Sequence, residues 1–203
     1  EVYSDWLTQH VRRQGLGDLT TDFKSIYAYE GPTGKKDYRL DNWLGTYNRS
    51  GTPVDILVKV MGNVSDTTSL TTSYNGGPYL GTSMIRIPEM YYIMAECDPD
   101  PQSSAEILDM VRFKRGIASS DATDGGKGYD EPDTREGFDS GHTRRINEVM
   151  REYLKEYYGE GQLFYFYKRH NYVTFANCSL VDVRTKYQFP LPENEDMFGI
   201  TGK

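Results

Sequence analysis

Between Ile146 and Tyr157, apolar side chains recur at Ile146, Val149, Met150, Tyr153, Leu154 and Tyr157. The spacing i, i+3, i+4, i+7, i+8, i+11 follows the 3.6-residue turn, so an amphipathic helix with a core-facing stripe is predicted here. Arg144, Glu148, Arg151, Glu152, Lys155 and Glu156 occupy the other positions and read as a solvated face, with Arg144 and Glu148 as an i,i+4 pair. Gly159 and Gly161 end the helix, and an aromatic run from Leu163 to Tyr167 continues into Lys168-Arg169-His170.

Two further helices are predicted upstream. Ile87, Tyr91, Met94 and Ala95 recur at helical spacing, and Pro88 suits a first turn, where its missing N–H costs nothing. Asp98-Pro99-Asp100-Pro101 ends that helix, because a residue before proline is pushed out of the helical region. The next is expected to start near Ser103 or Ser104 as cap, to carry Ala105, Leu108, Val111 and Arg112 on recurring positions, and to stop at Gly116. Together they make a helical hairpin about the size of one tetratricopeptide unit.

The rest is less regular. Residues 1–82 are dense in Gly, Thr, Ser, Asn and Tyr and form a loop-rich lobe with short strands, the clearest from Val54 to Met61. Residues 83–203 form the helical region. Residues 118–141 connect its helices and contain Asp121, Asp124, Gly125, Gly126, Gly128, Asp130 and Asp133. They lack the alternating ligands and distal glutamate of a calcium loop, so a solvated connection is expected and no metal. The chain closes on a β-like piece at Tyr187-Gln188-Phe189, then Pro190-Leu191-Pro192 and an acidic tail.

Composition narrows the function. Thirty acidic against 23 basic residues give a formal charge of -7, and the basic clusters Arg12/Arg13, Lys35/Lys36 and Arg144/Arg145 are small. That argues against nucleic acid as a partner, since neutralising phosphates takes a clustered basic face. With 17 Tyr and 8 Phe, the chain is rich in rings that pack while offering a hydroxyl, which suits half-buried positions and polar, ring-shaped ligands alike. Cys97 and Cys178 have no zinc or redox spacing and read as buried thiols, with a single disulfide as the alternative. Nothing reads as a signal peptide or membrane span, and an opening on Glu1 fits a processed chain or part of a longer one.

Catalytic patterns are missing. No GxSxG occurs, and His10, His142 and His170 have no paired-ligand spacing, so they read as surface or packing residues. Gly15-Leu16-Gly17-Asp18 is too short for a phosphate cradle. Glu152 and Glu156 share a helical face and could form an acid/base pair of glycosidase type, but Arg151 and Lys155 beside them favour an ordinary wet surface. No catalytic residue and no cofactor are expected.

Several motifs then fall into an order. Arg86-Ile87-Pro88-Glu89-Met90-Tyr91-Tyr92-Ile93-Met94-Ala95-Glu96, followed by Ile107 to Gly116, resembles the helix pair of SusD/RagB-type proteins. Ile146 to Phe164, with its Gly159-Glu160-Gly161-Gln162 turn and the continuation to Tyr167-Lys168-Arg169, is similar to that family's glutamate-rich helix and aromatic signature. Asp37-Tyr38-Arg39 matches its DxR stretch, and Phe189 to Glu195 its closing proline-rich segment. Members are usually longer, with a lipidated N-terminal cysteine and more tetratricopeptide helices, so the resemblance makes this chain a C-terminal part.

The resemblance implies a mainly α SusD-like fold, with tetratricopeptide-type helix pairs and an irregular loop-rich lobe. It also implies a lipid-anchored protein on the extracellular face of the Bacteroidetes outer membrane, the anchor being absent from this chain. Such a protein captures glycan or a similar nutrient and passes it to a TonB-dependent, SusC-like transporter. The family's shared motifs look structural and name no catalytic residue. Aromatics on loops are its usual ligand surface, which points to Trp43, with Tyr38, Tyr47, Asn42 and Asp41 around it. Trp43 as an anchor of the lobe to the core is the alternative. A scaffold docking the transporter without a ligand site, and a glycoside hydrolase fragment, are the rival functions.

Overall fold

The computed structural model describes residues 37–49, 52–57, 85–117, 124–136, 138–158, 160–175 and 180–188. Among these the protein is mainly helical, with one two-stranded sheet. The chain divides into two compact units, residues 1–161 and 162–203. The expected boundary between residues 82 and 83 lies outside the described residues.

In the first unit, helix α1 (Tyr38–Trp43) runs directly into strand β1 (Leu44–Arg49). Strand β2 (Thr52–Leu57) pairs antiparallel with β1 in the register Leu44 opposite Leu57 through Arg49 opposite Thr52. The expected strand from Val54 thus begins two residues earlier, and Val58 to Met61 lie outside the described residues. Helix α1 was not expected in a loop-rich lobe. Its cue is local: Asp37 stands just before it and accepts from the Arg39 backbone N–H at 3.0 Å, as an N-cap does.

Helices α2 (Ile87–Cys97) and α3 (Pro101–Lys114) form the predicted hairpin, and α4 (Arg144–Glu156) packs on both. The cap of α3 is Asp100 rather than Ser103 or Ser104. Its carboxylate accepts from the N–H groups of Gln102 and Ser103, and Pro101 then takes the first helical position. Ser104 instead donates its hydroxyl to the Ala95 carbonyl and ties the two helices together. Gly116, with φ of 88°, adopts the left-handed conformation that ends α3.

The core between the three helices is built from Tyr92 and Ala95 of α2, Ala105, Leu108 and Val111 of α3, Val149 and Tyr153 of α4, and Tyr157, which caps the end of α4. Three tyrosine rings form its centre, with Tyr92 and Tyr153 centroids 5.3 Å apart and those of Tyr153 and Tyr157 5.1 Å apart. The predicted stripe of α4 therefore does face a core, but Ile146, Met150 and Leu154 are only half-buried. Leu154→Ala is accordingly expected to cost about 1 kcal/mol, rather than the 2–5 typical of a fully buried leucine. A denaturant melt measures it.

The described part of residues 118–141 is mostly exposed, as a solvated connection is, but it is pinned at three buried residues, Gly126, Tyr129 and Asp133, and Pro132 bridges to Thr143. Gly126 has φ of 79°, and a Cβ there would collide with the Pro101 carbonyl, so glycine is required where this segment crosses the start of α3. Asp121 lies outside the described residues, among which no cluster of His, Cys, Asp or Glu is arranged to hold a metal ion. Nor is any helix of the described residues long and apolar enough to cross a membrane. Cys97 is a free and exposed thiol, contrary to its expected burial, because it sits on the outer side of the last turn of α2; Cys178 lies outside the described residues.

In the second unit the aromatic run forms helix α5 (Gln162–Arg169). Phe166 and Tyr167 are buried in a cluster with Tyr172, and Tyr167 stacks on Phe175 at 4.5 Å. Tyr187 is not extended, as a β-like piece would require. It follows a 3-10 turn at Arg184–Lys186 in helical conformation and is drawn inward by donating its hydroxyl to the Tyr172 carbonyl at 2.9 Å.

Candidate functional site

The dominant polar feature of the first unit is a ladder of carboxylates along α4. Glu148, Glu152 and Glu156 stand four residues apart and so share one helix face, where like charges repel unless cations come between them. Glu152 and Glu156 are completely buried and Glu148 nearly so. Their expected place on a wet face is therefore wrong. The helix carries two inward faces, one aromatic and one ionic, and the counter-charges come from remote segments.

Arginines form the rungs. Arg112 of α3 donates from Nε to Glu152 at 3.0 Å and from Nη2 to Glu148 at 2.5 Å, bridging the first two carboxylates. Arg39 of α1 bridges the next two: its Nη1 lies 3.0 Å from Glu152 Oε2, an ion pair without hydrogen-bond alignment, and 3.3 Å from Glu156 Oε2. The same guanidinium is held from behind by Asp37, through Nε at 2.9 Å and Nη2 at 2.7 Å. Glu156 also accepts from Arg86 at 3.1 Å and from Arg115 at 2.8 Å. Glu148 turns to Arg112 and Arg135 rather than to the expected Arg144. Asp133, below Glu148, accepts from Arg135 at 2.7 Å and from Asn147 at 3.1 Å.

Electrostatics keeps Glu152, Glu148 and Asp133 ionised. Burial by itself would push the Glu152 carboxyl up, but Lys155, Arg39 and Arg112 outweigh it and hold it well below the usual carboxylate range. Glu148 is likewise depressed, with Arg112 and Arg135 overcoming burial, and so is Asp133, through Arg135 and Asn147. Burial lowers the Lys155 ammonium, and Arg39 and Arg112 add to that, against the pull of Glu152. A general acid needs the opposite tuning, a carboxyl raised toward neutrality. Moreover, the space between Glu152 and Glu156, where a glycosidic bond would have to lie, is filled by the Arg39 guanidinium.

The residues expected to contact ligand stand on the other side of the same support. Tyr38, Asp41 and Asn42 share the outward face of α1 and are exposed. The Asn42 amide donates to the Tyr38 carbonyl at 2.6 Å. Trp43 falls four residues after Arg39, on the inward-leaning face, and is half-buried with the Arg115 guanidinium 5.9 Å from its ring. Tyr38 donates its backbone N–H to the Arg115 carbonyl at 2.7 Å. The structure thus brings four of the five residues together on one short helix. Tyr47 follows in β1, opposite Val54, and its side chain lies outside the described residues.

What sequence reasoning missed is the ionic ladder. One cue was present: glutamates at strict four-residue spacing, Glu148, Glu152, Glu156 and Glu160, form a repulsive stripe unless something remote neutralises it. Compared with protein-family models, with curated proteins and with solved structures, the chain finds no match in any of the three.

Proposed function

We propose that this chain is a non-catalytic capture component of the SusD type, which binds an oligosaccharide or similar nutrient at an outer-membrane surface for delivery to a TonB-dependent transporter. One observation carries the reading. The DxR stretch, the helix pair and the glutamate-rich helix, which resemble that family in order, all meet in one buried ionic ladder through Arg39, Arg86, Arg112, Arg115, Glu152 and Glu156. Motifs with a common structural duty account for the resemblance without any catalytic role. A carboxylate pair that is dry and occupied by arginine, with Glu152 held well below the usual carboxylate range, supports binding over hydrolysis.

Ligand contact is placed on α1 because loops and short elements on a rigid support carry specificity. Trp43 supplies a ring to stack on the C–H face of a sugar, with Asp41 and Asn42 nearby for hydroxyl groups. Its support is firm, since Arg115 beneath it is fixed to Glu156. Trp43→Ala is expected to weaken binding of the cognate member of an oligosaccharide panel by about 2 kcal/mol in calorimetry. A folded variant that binds just as tightly makes Trp43 a packing residue and removes this site.

A second reading, a subunit that docks other proteins without a ligand site, is favoured by α2. Ile87, Met90, Ile93 and Met94 are exposed on this helix, Ile87 by 74%, and an apolar surface of that kind marks contact with another protein. Failure of the full chain to bind any saccharide, with retained association to a transporter, selects this reading over the first.

A further inference from the structure

Residues 162–188 of the second unit reverse the charge of the chain, while the whole unit, with Glu193, Glu195, Asp196 and Lys203, is nearly balanced. Between Gln162 and Gln188 there are four cationic side chains, Lys168, Arg169, Arg184 and Lys186, and one acid, Asp182, a net of +3 where the whole chain carries -7. All four cations are exposed. The fold gathers them. Phe164, in the first turn of α5, meets the Tyr187 ring at 5.8 Å, which sets the turn Arg184–Lys186 beside the helix. Val183 also donates its backbone N–H to the Val173 carbonyl at 2.9 Å, fixing the turn to the segment after α5.

An exposed aromatic stands among these charges. Tyr165 is 65% exposed, and Lys168 and Arg169 follow at i+3 and i+4, so all three share one face of α5. Arg169 is steadied over the Phe166 ring at 5.4 Å, and Arg184 by paired bonds to Asp182 at 2.9 and 2.6 Å. Cations held in place lose less freedom when a ligand arrives, which favours binding. A ring flanked by cations matches a saccharide that offers a C–H face and carboxylates together.

We infer that Tyr165, Lys168 and Arg169 on one face of α5, with Lys186 in the turn that the Phe164–Tyr187 contact sets beside the helix, bind an acidic saccharide of the uronate class. Tyr165 stacks on a pyranose ring, and the cations pair with carboxylates of that residue and its neighbours. The inference rests on the glycan-capture reading and names the chemical class of its ligand, with other residues than Trp43. A nucleic acid fits less well, because the acidity of the rest of the chain opposes a long phosphate backbone.

Calorimetry on the full chain tests this with a galacturonate oligosaccharide, a neutral oligosaccharide of equal length and a single-stranded oligonucleotide as probes. The galacturonate probe is expected to bind, and its affinity to fall between about 0.02 M and about 0.2 M salt, as exposed charge pairs require. Lys168→Glu with Lys186→Glu is expected to weaken it about tenfold, and Tyr165→Ala by a similar factor, with melting curves unchanged. Binding that is equal in these variants overturns the inference, as does tighter binding of the oligonucleotide. If the wild type is silent and binds only after Glu193, Glu195 and Asp196 are neutralised, the acidic tail is the occupant and the inference fails. Neutral oligosaccharide bound in preference, and lost in Trp43→Ala, leaves the capture reading standing while this one falls. No saccharide bound at all removes both.

Discussion

Glu152→Gln is expected to lower folding stability by about 3–5 kcal/mol, the range found when one partner of a buried ion pair is removed. The substitution keeps the shape and an acceptor for the Arg112 Nε, so packing is nearly unchanged and the loss is electrostatic. It leaves Arg39, Arg112 and Lys155 around a neutral group in a space closed to water. Such a loss is a large part of the 5–15 kcal/mol that holds a typical domain together. Urea melts of the variant measure it. The double variant Arg39→Met with Glu152→Gln is expected to cost less than the two single changes summed, because it removes a cation that the first change stranded. Additive losses would show that the two residues act independently and that the ladder is not one unit. Replacing both Glu152 and Glu156 by glutamine is for the same reason a test of folding, not of a solvated face.

Acid should unfold the first unit cooperatively. Glu148, Glu152 and Asp133 all have carboxyls held below their ordinary values, so below the ordinary range the unfolded chain takes up protons that the folded chain refuses. Their contribution is therefore complete above about pH 5, and it is lost progressively as the pH falls through about 4 toward the depressed values. Unfolding free energy measured from about pH 7 to about pH 3 is expected to stay level at first and then drop steeply. The Glu152→Gln variant, already less stable, should show a shallower drop. A wild type whose stability is unchanged at pH 3 would mean that the carboxylates are not paired as described. High salt should do little to the level region, because buried pairs are poorly screened, in contrast to the salt-sensitive binding expected at Tyr165, Lys168 and Lys186.

The ladder also connects stability to the candidate binding surface. Arg115 joins Glu156 below and the Trp43 ring above, so the position of α1 depends on a charge buried in α4. A change at Glu156 should therefore disturb Trp43 without touching it, and Trp43 fluorescence would report that disturbance.

The sequence by itself determined helices α2, α3 and α4. Apolar residues at helical spacing, with Pro88, Pro101 and Gly116 at the ends of α2 and α3 and Gly159 and Gly161 after α4, define these helices to within a few residues, because periodicity and backbone restriction act locally. The choice of cap was less legible, since Asp100, Ser103 and Ser104 are all good caps and only the position of Pro101 and the reach of Ser104 to Ala95 separate them. The helix at Tyr38–Trp43 was hidden because six residues carry too little periodicity, although Asp37 marks its start. What only the tertiary structure decided is which face of α4 is dry. A glutamate at i+4 from another looks the same on a wet surface and in an ionic core, and the difference is made by cations far away in the chain. Arg39 reaches Glu156 across 117 residues of sequence, and no local pattern encodes that distance.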